Sequence, residues 1–193
     1  MKKFTLLLLS FCFLSSYGQK LVEGNLNVLK NEKIINVVFD YSNVAFRFDD
    51  SVDEKRYVDR KVIEEGEEWK IGWEAIKAAI KSGLLHPEFF KEFNLELFDN
   101  NYELKGGNYE TANYTMTVVM NVICSGKNAG PFSDDPYIEA YVLVKKSGSN
   151  EVVAKIEMKR VTGNSFSDLT GRIEIAYENL GEEPGEFFAK KIR

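Results

Sequence analysis

Three stretches decide the fold: YTMTVVMNVICS (residues 114–125), YIEAYVLVKK (residues 137–146) and VVAKIEMKRV (residues 152–161). In each of them apolar side chains recur at every second position, which is the pattern of a strand with one buried face. In the first stretch the apolar face comprises Met116, Val118, Met120, Val122 and Cys124. A polar SGSN sequence separates the second and third stretches and favours a tight turn. We therefore predict that these two stretches form a hairpin in the same sheet as the first.

A fourth strand is predicted earlier in the chain, over residues 33–41, where β-branched and aromatic side chains follow one another with few interruptions. A nearly continuous apolar run is typical of an interior strand that is covered on both faces, or on one face and partly by a loop. A short edge strand is also possible at residues 26–29.

Three amphipathic segments follow the fourth strand and predict helices. The first opens with the capping-box pattern SVDE, which begins at Ser51. The second places Trp69 and Trp73 on one stripe and ends at Gly83, and the third begins at Pro87. Such a long helical crossover permits the strands on either side of it to lie parallel.

A final amphipathic helix is predicted near the carboxyl terminus, with a break or bend between Gly181 and Pro184. The predicted fold class is therefore α/β (α+β). It consists of one four-stranded mixed sheet with the crossover helices and the C-terminal helix packed on one face. That face is the one containing Met120, Val142 and Ile156.

Residues 1–18 predict a cleaved export signal. Two lysines precede an apolar run that is too short to anchor in a bilayer, and small residues suit cleavage near Gly18 and Gln19. We expect residues 19–193 to form a single α/β domain without a membrane span. The protein is thus predicted to be exported, either to the periplasm or out of the cell.

The charge balance excludes some classes of partner. Cleavage removes two lysines, so the net charge moves from −5 to −7. Nucleic acid and anionic membrane surfaces are therefore disfavoured as partners. After cleavage Cys124 is the only cysteine, so no intramolecular disulfide can form, and we expect a buried, unreactive thiol.

Catalytic motifs are missing from the sequence. His86 is the only histidine, so a zinc, copper or haem site is not expected, and we predict no cofactor and no metal. We expect His86 to be a surface or helix-capping residue. No Gly-x-Ser-x-Gly turn and no phosphate-binding glycine loop is found. Paired carboxylates could hydrolyse glycosidic bonds, but acidic doublets are usually solvated.

A candidate contact surface lies around the loop over residues 126–136. This loop is long for a simple chain reversal, and long loops often carry function. The outward face of the sheet is also more apolar than solvent exposure requires, so it is either covered by a loop or the amino-terminal segment, or used for contact. The predicted contact patch comprises Phe132, Asp134, Asp135, Tyr137 and Tyr141.

The sequence NVVFDYS at residues 36–42, the pair Trp69 and Trp73, and FFKEF at residues 89–93 resemble a group of exported Bacteroidetes proteins with no assigned activity. In layout the chain resembles small α/β envelope domains, such as the TolB amino-terminal domain and LptE-like assembly factors. The resemblance includes no catalytic motif, and the lipidation signal of the lipoprotein members is missing.

The residues and the resemblance together favour a non-enzymatic binding or envelope-assembly protein with a protein partner in the cell envelope. The alternative is an exported hydrolase that acts on glycans through paired carboxylates. Neither the ligand nor the oligomeric state follows from the sequence.

Overall fold

A seven-stranded mixed sheet and four helices form the fold in the computed structural model, which describes residues 19–50, 52–127, 134–164 and 168–192. The elements are β1 (Lys20–Gly24), a 3₁₀ helix (Leu26–Leu29), β2 (Ile34–Asp40), β3 (Ala45–Arg47), α1 (Glu54–Glu65), α2 (Glu67–Lys81), α3 (His86–Asp99), β4 (Lys105–Gly107), β5 (Tyr114–Cys124), β6 (Tyr137–Lys146), β7 (Val152–Thr162) and α4 (Leu169–Lys191). The predictions for the export signal, Ser51 and Phe132 lie outside the described residues.

The strand order is β1-β7-β6-β5-β2-β4, and β3 pairs with β5. The four predicted strands are β2, β5, β6 and β7, so the α/β class is confirmed, but the prediction of a four-stranded sheet is wrong. The additional strands, β1, β3 and β4, have only three to five residues, too few to show a period of two. The edge strand expected at residues 26–29 is a 3₁₀ helix, and the edge strand β1 precedes it.

Strand β2 runs parallel to β5, as the helical crossover allows, and pairs Val37 with Met116. Strand β6 is antiparallel to both β5 and β7, and β7 is antiparallel to β1. In β2 the side chain of Val37 is buried, whereas that of Val38 is 44% exposed. The prediction that this strand is fully covered on both faces is therefore wrong. A loop covers the second face in part, because the backbone N–H of Tyr109 donates to Asn36 Oδ1 at 3.0 Å.

Helix α1 begins two residues later than the capping-box pattern predicts. Its N-cap is Asp53, whose side chain accepts a hydrogen bond from the backbone N–H of Arg56. Glu54 instead links α1 to α2, because its Oε1 accepts from Trp73 Nε1 at 2.8 Å and from Lys77 Nζ at 2.6 Å. The buried Trp73 indole thus keeps its only donor satisfied while its ring packs in the core.

Helix α4 continues through Gly181 and Pro184, so a break is a wrong prediction, whereas the alternative of a bend stays a prediction. Gly181 allows α3 and α4 to pack closely and does not end the helix. A Cβ atom at this position would lie 2.3 Å from the backbone oxygen of Phe89, so only glycine lets α3 approach so closely. Gly185, one turn later, lies against Glu96 in the same way. Among the described helices, α4 included, none combines the length and apolar composition needed to cross a membrane.

The core lies on the sheet face that carries Met120, Val142 and Ile156, which we call the inner face. These three side chains are fully buried. They form one apolar cluster with residues from the helices, among them Phe89 of α3 and Tyr177 of α4. The prediction that the helices pack on this face is confirmed. The opposite side of the sheet is called the outer face.

A β-bulge in β5 reverses the faces near the end of that strand. Met120 pairs with Ala140, but the next ladder pair is Val122 with Glu139, so the strand gains one residue between them. After the bulge Ile123 joins the core, while Val122 and Cys124 form a small cluster with Tyr137. The prediction that Val122 and Cys124 share the face of Met120 is therefore wrong, although Cys124 is buried as expected.

Candidate functional site

A second β-bulge places Arg160 on the outer face. In β7 Met158 pairs with Ala140 and Val161 pairs with Ile138, so β7 has one residue more than β6 over this interval. Arg160 adopts a φ of +49°, a left-handed conformation that non-glycine residues rarely adopt. Its guanidinium carbon lies 4.3 Å from the ring centroid of Tyr137. The bulge thus orients Arg160 so that its guanidinium covers the ring of Tyr137.

Asp50 connects Arg160 to Tyr137. It lies in the segment between β3 and α1, and its Oδ2 accepts a hydrogen bond from Arg160 Nη1 at 2.7 Å. Its other oxygen, Oδ1, accepts from the Tyr137 hydroxyl. The hydrogen bonds from Tyr137 and Arg160 lower the pKa of Asp50, whereas burial raises the pKa of Tyr137. Asp50 is therefore an anion at neutral pH that holds both the arginine and the neutral phenol in place.

A cleft of about 180 Å³ lies beside this group and is called the acidic cleft. It is lined by Asp49, Asp50, Cys124, Asp134, Asp135, Tyr137 and Arg160. Lys127 lies at its edge, with Nζ 2.8 Å from Asp134 Oδ2 and 3.8 Å from Asp49 Oδ2. Four carboxylates thus face two cations. Burial raises the pKa of Cys124, so its thiol is protonated and is not an activated nucleophile.

The base of the predicted loop forms one wall of the acidic cleft. Lys127 and Asp134 are joined by two backbone hydrogen bonds, of 2.9 and 3.1 Å. Gly126 has a φ of +63°, and a Cβ atom there would lie 2.2 Å from the Asp134 carbonyl oxygen. Glycine is therefore needed for the two ends of the loop to meet.

A second cleft, of about 260 Å³, adjoins the first and is called the tyrosine cleft. It is lined by Asn121, Glu139, Ala140, Tyr141, Glu157, Met158, Lys159 and Arg160. The ring of Tyr141 is partly exposed, and Lys155 Nζ lies 4.4 Å from its centroid. The Tyr141 hydroxyl donates to Glu157 Oε1 at 3.4 Å. The tyrosine is thus held on the outer face by polar neighbours on β7.

The structure brings most of the predicted patch together. Asp134, Asp135 and Tyr137 line the acidic cleft and Tyr141 lines the tyrosine cleft, while Phe132 lies outside the described residues. Tyr137 is only 2% exposed, so it forms the floor of the site rather than an accessible anchor. A binding role for these residues stays a prediction.

Asp50 and Arg160 belong to the site but not to the contact patch predicted from the sequence. Arg160 lines both clefts and therefore stands where they meet. One signal was present in the sequence: the core residues Met158 and Val161 are three positions apart, which breaks the period of two. Asp50 gave no such signal, because its contact with Arg160 spans 110 residues.

His86 was predicted to be a surface or helix-capping residue. It is instead part of a half-buried network. Its ring stacks on Phe39 with centroids 3.8 Å apart, and its Nε2 lies 2.9 Å from the Tyr41 hydroxyl. Tyr41 also hydrogen-bonds to the Tyr177 hydroxyl at 2.9 Å. Burial lowers the pKa of His86 and raises the pKa of Tyr41 to about 12. Residues 39–41 end β2 and begin the following turn, so the network fastens this end of the strand to α3 and α4.

Within the described part of the chain, no group of three or more His, Cys, Asp or Glu residues is arranged to hold a metal ion. The four aspartates of the acidic cleft are thus not placed as a ligand set. The outer-face site offers charged and aromatic contact groups instead.

Comparisons with known proteins find no matching family model and no matching curated protein. Among solved structures, the chain is similar to the PelC dodecamer from Paraburkholderia phytofirmans, with 11% identity and a TM-score of 0.39 over 84% of this chain and 95% of that one. A dodecamer of a PelC variant from the same organism gives 12% identity and a TM-score of 0.37, covering 84% of this chain and 97% of that one. TM-scores this low carry no argument about fold or function.

Proposed function

We propose that this protein is an exported, non-enzymatic binding protein of the cell envelope, and that it captures a protein partner on its outer face. One observation carries the proposal: two adjoining clefts meet at Arg160 on the sheet face opposite the helices. Ordinary strand packing does not require the left-handed Arg160 or its contact with Asp50.

The chemistry of the two clefts suits a polypeptide segment with basic side chains. The partly exposed ring of Tyr141 offers an amphipathic contact surface, and the aspartates of the acidic cleft offer acceptors. Charge complementarity of this kind mainly increases the association rate and selects against acidic partners. Binding should therefore weaken as salt concentration rises.

The test compares capture by two single variants. Tyr141→Ala removes an aromatic side chain from the tyrosine cleft. Phe98→Ala removes the side chain of a 75% exposed phenylalanine on α3, which lines neither cleft, and serves as the matched control. Each immobilised protein is incubated with envelope extract, and the bound proteins are quantified by mass spectrometry.

We expect the wild type and Phe98→Ala to retain the same protein and Tyr141→Ala to lose it, with thermal midpoints of the variants within a few degrees of the wild type. Equal capture by all three proteins would contradict the proposal. A large loss of stability in Tyr141→Ala with unchanged capture would place this tyrosine in the core and the contact surface elsewhere.

A second candidate, an exported glycan hydrolase, is favoured by one observation. Glu139 and Glu157 line the same tyrosine cleft, and two carboxylates are the minimal machinery of glycoside hydrolysis. The protein is incubated with purified cell-wall glycan and the release of reducing ends is measured. Activity that is lost in both Glu139→Gln and Glu157→Gln would overturn the non-enzymatic proposal.

A further inference from the structure

Arg172 is a buried cation that forms no ion pair with any of the described residues. Its side chain is 8% exposed, and in the described part of the chain it alone has buried side-chain nitrogens, Nε and Nη1, that lack a hydrogen-bond partner. None of the ion pairs among the described residues includes it. Buried charges are normally paired, because removing an ion from water is costly unless a partner replaces the water.

The titratable groups near Arg172 form no hydrogen bond with its Nε or Nη1. Tyr57 of α1, Asp168 and Cys124 act on its charge, and their effect opposes the burial that lowers the pKa of Arg172. Asp168 is the only carboxylate among them, and its Oδ1 already accepts a hydrogen bond from the backbone N–H of Gly171 at 2.8 Å. The positive charge is therefore left in a poorly solvated position.

The position of Arg172 in its helix adds to the positive field. Arg172 is the fourth residue of α4, a helix of 23 residues. The Cα–Cβ bonds of a helix tilt toward its amino terminus, so this side chain starts in that direction. The amino end of a helix carries partial positive charge and is suited to anions. The guanidinium and the amino end of α4 are thus two sources of positive potential, and the Asp168 side chain caps the second by accepting from the Gly171 N–H.

We propose that Arg172, together with the amino end of α4, binds a small oxyanion of the phosphate or sulfate type. The anion would supply the counterion that the described residues do not provide, and it would accept hydrogen bonds from the unpaired Nε–H and Nη1–H groups of the guanidinium. Neither Arg172 nor the first turn of α4 lines the acidic or the tyrosine cleft, although Cys124, which acts on the charge of Arg172, lines the acidic cleft. The proposed anion site therefore does not rest on the function proposed above.

The experiment measures the thermal midpoint as inorganic phosphate replaces chloride at constant ionic strength. Arg172→Met removes the charge and keeps a long apolar side chain. Arg60→Met is the matched control, because Arg60 is an exposed arginine on α1. We expect saturable stabilisation of the wild type and of Arg60→Met, since a ligand that binds only the folded state raises the midpoint by mass action.

Arg172→Met should start with a higher midpoint than the wild type and show no response to phosphate, because it no longer buries an unpaired charge. An equal phosphate response in Arg172→Met and the wild type would overturn the proposal. If Arg172→Met does not fold, equilibrium dialysis of the wild type with labelled phosphate decides. Binding of one ion per chain that sulfate displaces and chloride does not supports the site, and no saturable binding refutes it.

Discussion

Substitution of Gly181 by alanine tests the close contact between α3 and α4. The new Cβ would lie 2.3 Å from the backbone oxygen of Phe89, and also 3.0 Å from the Phe89 Cα atom. Both are backbone atoms, so no side-chain rotation can relieve the overlap. Helix α4 must therefore move away from α3 by about 1 Å, which forfeits a quarter to a half of the dispersion energy of the atoms that separate.

The magnitude follows from two opposing effects. Alanine improves the helix propensity by about 1 kcal/mol, whereas overpacking of a tight interior costs about 1–3 kcal/mol and sometimes more. The contact includes the large side chains of Phe89, Phe93 and Phe188. We therefore expect the free-energy cost of the overlap to lie at or above the top of that range. The free energy of unfolding should then fall by about 2–3 kcal/mol.

Gly72 provides the matched control, because it lies in α2 and a Cβ atom there would meet nothing within 4 Å. Gly72→Ala should stabilise the protein by about 0.5–1 kcal/mol through helix propensity alone. Both variants are measured by urea unfolding, followed by the fluorescence of Trp69 and Trp73. With a slope of about 2 kcal/mol per molar urea, the midpoint of Gly181→Ala should fall by about 1 M. A Gly181→Ala variant as stable as Gly72→Ala would refute the close contact.

Three further predictions address the core, pH and a sheet edge. Ile156→Asp places an unpaired charge at a fully buried position and should prevent folding; a soluble variant with cooperative unfolding would put this residue on the outer face. Burial lowers the pKa of His86 below its ordinary value of 6.5, so the unfolded chain takes up a proton first as pH falls and stability is lost below about pH 6.5. In urea unfolding between pH 7.5 and 5.5, His86→Gln should lose less stability than the wild type, and equal losses would contradict this. The Asn94 side chain forms hydrogen bonds with both the N–H and the C=O of Gly106 in edge strand β4, so these backbone groups cannot pair with another chain. Asn94→Ala frees them and should increase self-association, measured by size-exclusion chromatography. An elution profile like that of the wild type would show that the edge is protected otherwise.

The long elements were predictable because each shows its own period. The alternation in β5, β6 and β7 and the stripe of Trp69 and Trp73 in α2 each extend over enough residues to indicate both the element and its buried face. Strands β3 and β4 have three residues each, and they are held by pairing with β5 and β2 rather than by a pattern of their own. Local sequence carries little information on such pairing.

Gly181 shows how one residue type supports two opposite interpretations. Glycine followed three positions later by proline is typical of a helix end, and the sequence does not indicate which residues of the other helices will lie against Gly181. In the structure the absence of a Cβ atom at Gly181 is what lets α3 lie against α4. Proximity between distant segments decides the role, and His86 was misjudged for the same reason, since its partners Phe39 and Tyr41 come from β2 and the turn after it.

The candidate site could be predicted only in part because it depends on two breaks in the strand pattern. One extra residue reverses which face the following side chains occupy. The bulge of β5 lies opposite Glu139 and Ala140, and the bulge of β7 lies opposite Ile138 and Ala140. Both breaks therefore meet the same short segment of β6 from its two sides.

This coincidence explains why the two clefts adjoin. A bulge leaves a residue outside the regular ladder and increases the local twist, so two bulges on either side of β6 distort one end of the sheet together. The extra residues include Asn121 and Arg160, which line the tyrosine cleft, and Arg160 also reaches the acidic cleft. Toward the other end of the sheet, the inner face of β6 and β7 keeps its period of two through Val142 and Ile156. Further register shifts occur at Val144/Lys145 of β6 and at Leu21/Glu23 of β1. The two bulges beside Glu139 and Ala140 are the ones that lie at the clefts, and a partner that binds there would contact groups displayed by these bulges.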